Sequence, residues 1–137
     1  MLVKTYGSAI EGIHALLITI EVNISSGTKF YLVGLADNAV KESLTRIISA
    51  LINSKLHYPK LRIVVNLAPA DIKKEGSAYD LPIAMGILAA SGQVKPHLMS
   101  NCMIMGELSL DGSIKAVKGA LPMAIKAKEA GLESLII

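Results

Sequence analysis

Leu61-Arg62-Ile63-Val64-Val65-Asn66-Leu67-Ala68-Pro69-Ala70-Asp71-Ile72-Lys73-Lys74-Glu75-Gly76-Ser77-Ala78-Tyr79-Asp80-Leu81-Pro82 is the stretch whose reading decides the fold. Pro59 marks a break before it, and Leu61 to Leu67 form a short apolar run of the kind expected of a central strand. A polar, glycine-containing loop follows. Asp80 is then placed to cap a helix over Leu81 to Ser91, with Pro82 tolerated in the first turn and Gly92 suited to the exit. Ile83, Met85, Ile87 and Leu88 surround that helix with apolar side chains, which predicts that it is buried. A strand, a functional-looking loop and a buried helix in succession point to an α/β domain.

Upstream, Leu16, Ile18, Ile20, Val22 and Ile24 are apolar at alternate positions, whereas Thr19, Glu21 and Asn23 interrupt the others. That is the period of a half-buried strand. Ser25-Ser26-Gly27-Thr28 reads as a turn into a second strand, Phe30 to Val33, and the two are expected to pair as a hairpin. Asp37 can cap a helix whose apolar stripe is Val40, Leu44, Ile47, Ile48 and Leu51.

Downstream, Cys102 to Leu108 reads as a strand, Asp111-Gly112 as a hairpin turn and Ser113 to Val117 as the returning strand. A further helix is expected from about Ala120 to Ala130, ending at Gly131. Leu132 to Ile137 resembles another buried strand, and its abrupt end suggests a chain cut from a longer protein.

With 137 residues, 52% of them apolar, the chain is expected to be one domain, residues 1–137. Aromatic residues make up 4% and tryptophan is absent, so base-stacking surfaces are poorly supplied. Lysine and arginine exceed aspartate and glutamate by 14 to 11, but they are dispersed, with Lys73-Lys74 the only adjacent pair. A dedicated phosphate-binding surface is denser than that. Cys102 is the sole cysteine, which excludes an intrachain disulfide and a cysteine-ligated zinc, and fits a reducing compartment. Met1 to Tyr6 lacks the features of a signal peptide, and Leu81 to Ala90 is too short to span a bilayer. A cytoplasmic protein without a membrane partner is expected.

Complete chemical motifs are missing. Gly34-Leu35-Ala36-Asp37-Asn38-Ala39-Val40-Lys41-Glu42-Ser43 lies between a strand and a helix like a phosphate loop, but lacks the second glycine, and Glu42 separates the lysine from the serine. His14, His57 and His97 have no ligand spacing. Ser77 near Lys73 and Lys74 raises a serine–lysine nucleophile, yet a loop lysine exposed to water keeps its proton and is no base. No catalytic, cofactor or metal residue is therefore assigned.

Around this loop the chain resembles the N-terminal domain of Mg-chelatase-like AAA+ ATPases of the YifB and ComM type. The resemblance runs through Thr19-Ile20-Glu21-Val22, Leu32-Val33-Gly34-Leu35, Val40-Lys41-Glu42-Ser43, Ala50-Leu51-Ile52-Asn53-Ser54, Val65-Asn66-Leu67-Ala68-Pro69-Ala70-Asp71, Lys74-Glu75-Gly76, Tyr79-Asp80-Leu81-Pro82-Ile83-Ala84 and Gly106-Glu107-Leu108. It implies a fold similar to the Lon proteolytic domain and to the second domain of a small-subunit ribosomal protein: a mixed sheet with about three helices, mainly on one side. Aligned with Lon-type peptidases, the nucleophile position falls on Ala78 and the lysine position near Leu121, so the resemblance implies that both halves of that dyad are absent.

The resemblance further implies an AAA+ ATPase domain following residue 137, which would hold ATP and Mg, while this region holds no cofactor. It implies an accessory, non-catalytic domain that supports ring assembly or substrate engagement in DNA remodelling of the competence and recombination type. Its implied partners are its own ATPase domain, neighbouring subunits of a homo-oligomeric ring, and DNA. The candidate interaction loop comprises Lys73, Lys74, Glu75, Gly76, Tyr79 and Asp80, together with Glu107, Asp111, Lys115 and Lys118. The competing readings are a residual serine–lysine hydrolase and a nucleotide- or metal-binding chelatase-subunit module.

Overall fold

The computed structural model describes all 137 residues. Its sheet is built around β1 (Leu2–Glu11) and β2 (His14–Ser25), which pair antiparallel along their whole length, from Leu2 opposite Asn23 to Glu11 opposite His14. The alternation expected for β2 is present: Ile18, Ile20 and Val22 are fully buried and Ile24 nearly so, whereas Asn23 is exposed. On its other edge β2 pairs antiparallel with β4 (Arg62–Ala68), which in turn pairs parallel with β3 (Phe30–Val33). The hairpin expected between β2 and β3 is therefore corrected. β4 takes the edge of β2 along Thr19–Ser25, and β3 is displaced to the rim of the sheet.

The six-stranded order is β3-β4-β2-β1-β5-β8, where β5 is Cys102–Ile104 and β8 is Ser134–Ile136, both parallel additions beyond β1. β4 lies inside the sheet as expected, but it buries only one face: Ile63, Val65 and Leu67 are fully covered, while Val64 and Asn66 are partly exposed. The single strand expected from Cys102 to Leu108 is broken at Met105 and Gly106. The Met105 amide makes the last ladder bond, to the Ile136 carbonyl of β8, and the Gly106 amide then leaves the sheet for the Ala78 carbonyl. The remainder forms a separate two-stranded ribbon of β6 (Glu107–Leu108) and β7 (Ile114–Lys115) around the expected turn at Asp111-Gly112. β8 is an edge strand with Ile136 46% exposed, so the buried final strand read from its composition is also corrected.

Helices follow the periodicity. α1 (Asn38–Lys41) is one turn capped by Asp37, whose Oδ1 accepts from the Val40 amide at 2.9 Å. α2 (Ser43–Asn53) continues it after Glu42 and turns Ile47, Ala50 and Leu51 inward. α3 (Asp80–Ala90) is the buried helix, lying across β1 and β2 with Ile83, Ile87 and Ala89 fully covered. α4 (Ala120–Glu129) turns Met123 and Ala127 inward and contacts β2, β5 and β8.

No strand is expected at β1, because its inward residues are mostly small or polar. Val3, Thr5, Gly7 and Ala9 share the α3 face, and only the valine is a strong apolar signal. The Thr5 hydroxyl donates to the Pro82 carbonyl at 3.0 Å, which satisfies it within the core. A side chain at Gly7 would lie 2.8 Å from the Met105 sulfur, and one at Gly86 would lie 2.5 Å from Val22. Gly86 thus lets the helix settle onto β2 and Thr5, and Gly7 makes room for the Met105 side chain.

Gly34, at the end of β3, combines a φ of +114° with a hypothetical Cβ only 2.3 Å from the Leu67 carbonyl oxygen. Gly34→Ala is expected to lower stability by about 2–4 kcal/mol in urea denaturation, from backbone strain plus displacement of β4. Gly12→Ala, at φ +64° with no heavy atom within 4 Å, is the matched control and is expected to cost about 1 kcal/mol.

Candidate functional site

The loop between β4 and α3 is organised by three buried polar groups. Asp80 has no exposed surface, and it is the first residue of α3, not its cap; Tyr79 occupies the cap position. Its carboxylate accepts from Arg46 Nε at 2.6 Å, Arg46 Nη2 at 3.0 Å and the Leu108 amide at 3.1 Å. Arg46 Nη2 also donates to the Ala39 carbonyl at 2.7 Å. One ion pair thus joins α1, α2, α3 and β6. The Asp80 carboxylate raises the Arg46 pKa, more than offsetting partial burial. The reading of Asp80 as a simple helix cap is corrected: capping used a surface rule, whereas this carboxylate is paired in the interior.

Lys74 is also fully buried. Its ammonium donates to the Gly34 carbonyl at 2.6 Å and to the Pro69 carbonyl, and its backbone joins the Leu35 carbonyl and the Asp37 amide. Burial lowers its pKa and Asp71 partly opposes that shift. The premise that the loop lysines are solvated is therefore wrong for Lys74. It still is no base for Ser77, because its Nζ is committed to two carbonyls and lies outside the surface that Ser77 lines.

Tyr79 is 1% exposed, and its hydroxyl donates to the Ser8 carbonyl of β1 at 2.9 Å. Burial raises its pKa well above that of a free tyrosine. Asp37 contributes from the other side: while Oδ1 caps α1, Oδ2 accepts from the Gly76 amide at 3.1 Å. The carboxylate thus sits at the start of α1, where a phosphate loop would place its anion.

These ties hold open a cleft of about 780 Å³ between the end of β1, the loop Asp71–Tyr79 and the segment Ala116–Lys118. Its apolar lining includes Ala9, Ile10, Leu16, Ile72, Ala78, Met105, Val117 and Met123. Glu11, Asp71, Lys73, Glu75, Glu107 and Lys118 supply its charges, with Lys73 Nζ 3.3 Å from Glu75 Oε1.

Of the residues expected to form an interaction surface, the structure brings Lys73, Glu75, Gly76, Tyr79, Glu107 and Lys118 to this cleft. Lys74 and Asp80 are internal, and Tyr79 shows almost nothing, so none of the three offers a partner its charge or hydroxyl. Asp111 and Lys115 belong to the β6–β7 ribbon, away from the cleft lining. There Asp111 accepts from the backbone and hydroxyl of Ser113, which lowers its pKa. Ser77 and Ala78 line the cleft, whereas Leu121 is 71% exposed and does not. The contributions of Ser8–Glu11 and Met105 had no local signal, since a long-range strand arrangement brings them there.

A family model described as subunit ChlI of Mg-chelatase matches residues 20–137. The chain is 46% identical over 132 residues to the competence protein ComM of Haemophilus influenzae, covering 96% of this chain and 26% of that protein. It is 44% identical over 126 residues to the uncharacterized protein YifB of Escherichia coli, covering 91% and 25%. An uncharacterized protein of Mycobacterium tuberculosis is 34% identical over 135 residues, covering 98% and 27%. The chain spans about a quarter of the length of these relatives.

Removing one partner of the buried ion pair leaves the other charged and desolvated, so Asp80→Ala is expected to cost about 3–5 kcal/mol in urea denaturation. Combining it with Arg46→Met should recover part of that loss. Tyr79 predicts a pH effect of fixed sign. Because the folded state holds the phenolic proton more tightly, stability falls as pH rises past the unfolded tyrosine value of about 10. Tyr79→Phe should weaken that alkaline fall while costing about 1 kcal/mol at neutral pH through the lost hydrogen bond to Ser8, both read from urea midpoints across pH.

Proposed function

The chain belongs to the ChlI family of Mg-chelatase subunits, and from that premise we propose that it is a non-catalytic accessory domain of an ATP-driven, ring-forming machine. Its task is recognition, either assembling the ring or engaging the substrate on which the ring works. ATP and Mg belong, on this reading, to an ATPase domain elsewhere in the full protein. The competence label of the Haemophilus relative favours DNA remodelling as the setting.

The observation that supports the reading is a cleft of about 780 Å³ in which the Ser77 hydroxyl stands apart from the Lys74 amine. Ser77 has no hydrogen-bonded base, and the one desolvated lysine nearby is committed to backbone carbonyls. Nucleophilic catalysis by serine requires a base within hydrogen-bond reach. The cleft instead combines apolar lining with a charged rim, which suits binding. Direct capture of a phosphate backbone here is disfavoured, because Lys73 faces Glu75 and only Lys118 adds positive charge.

A fluorophosphonate probe tests the non-catalytic claim. No covalent labelling of the chain is expected, and labelling that disappears in Ser77→Ala would overturn it. In a full-length member, reversing the cleft charges as Glu107→Lys with Lys118→Glu is expected to leave ATP hydrolysis within about twofold while impairing DNA remodelling at least tenfold. Unchanged remodelling would remove this cleft from the ring's function.

A further inference from the structure

The cleft contains a strand edge that the sheet does not use. Met1 and Ile24 exchange both backbone hydrogen bonds, at 2.7 and 3.0 Å, so the continuous β1–β2 register makes every odd residue of β1 a bonded partner of β2. The even residues then direct their N–H and C=O groups to the opposite edge. Tyr6 meets β5 there, the Ser8 amide faces the Met105 sulfur at 3.3 Å, and the Ser8 carbonyl accepts from Tyr79. Ile10 comes next, and neither its N–H nor its C=O has a partner. Across the cleft, Ala116, Val117 and Lys118 also make no backbone hydrogen bond.

We propose that this cleft binds an extended peptide, which adds as a short strand to the free edge at Ile10 and reaches the unpaired backbone of Ala116–Lys118. Such β-augmentation supplies main-chain hydrogen bonds for affinity and side-chain pockets for specificity. The lining fixes the peptide's chemistry. Alternate side chains meet Leu16, Met105 and Met123 and must be apolar. Once Lys73 is set against Glu75, and Asp71 and Glu107 are partly offset by the buried Lys74 and by Arg46, Glu11 at the free edge has no cationic partner and carboxylates still outnumber Lys118 on the rim, so the outward side chains are basic. The inference deepens the accessory-domain reading by naming a partner class, and it is separable from it. Failure to bind peptide leaves the fluorophosphonate result intact, and serine labelling leaves the peptide measurement intact.

The probe is a capped heptapeptide alternating valine and lysine, with a valine–glutamate counterpart, each titrated against the chain by fluorescence anisotropy and by amide hydrogen exchange. The lysine peptide is expected to bind at least about tenfold more tightly than the glutamate one, and to slow exchange at Ile10. Ile10→Pro removes an outward N–H without deleting a β1–β2 ladder bond, and is expected to reduce affinity about tenfold. If that variant does not fold, Glu11→Lys with Asp71→Lys takes its place and should invert the charge preference. Equal affinity for the two peptides, unchanged binding after Ile10→Pro, a retained preference after charge reversal, or no slowing at Ile10 would each overturn the proposal. So would protection of Ile10 that grows with protein concentration without peptide, since a second copy of this chain would then be the occupant.

Discussion

The carboxylate of Asp80 is the constraint on which the rest of the structure depends. It lies without solvent at the first turn of the most buried helix, and it fixes that helix relative to α2 through Arg46 and to β6 through the Leu108 amide. A buried ion pair of this kind contributes little net stability over an apolar replacement. What it contributes is geometry, because a carboxylate with three donors tolerates only one arrangement of the elements that carry them. The strand after β5 must therefore break at Gly106, whose amide and carbonyl join Ala78 and Leu81. That break separates the β6–β7 ribbon from the main sheet and creates one wall of the cleft.

Lys74 and Asp37 fix the opposite wall. Each links the Gly34–Asp37 turn to the loop before α3, one by an ammonium on two carbonyls and the other by a carboxylate divided between two amides. A loop held at so many backbone points is a rigid surface, although its composition is that of a mobile connection. The same commitments decide its chemistry. A buried lysine with a lowered pKa is ordinarily a candidate base, but here its donors complete the coordination of a turn.

The parts of the fold legible in the sequence were those whose side chains report burial directly, by period in β2 and the Val40–Leu51 helix stripe and by a near-continuous apolar run in β4 and α3. β1 was silent because its inward positions are Thr5, which bonds to α3, Gly7, which makes room for Met105, and Ala9, and these carry no apolar alternation. Strand partners were misread where only local order was available. β3 follows β2 closely, but β4 occupies the edge a hairpin would have used. At the site, sequence identified the loop but not which of its charges face inward. Lys73 and Lys74 are adjacent and chemically alike, and only tertiary context sends one to solvent and the other to the carbonyls of Gly34 and Pro69.

The buried ionisable groups beside the cleft are committed to holding its walls in place. Catalytic sites leave a base or nucleophile incompletely satisfied so that a substrate can complete its coordination. Here Asp80, Lys74, Tyr79 and Asp37 are each engaged with protein partners. The groups left without partners include backbone amides and carbonyls at Ile10 and along Ala116–Lys118, beside the rim side chains of Glu11 and Lys118. Unsatisfied backbone edges have one efficient complement, which is another backbone. Part of the free bonding capacity of the cleft thus lies in its main chain, and that is the feature on which the proposed peptide partner rests.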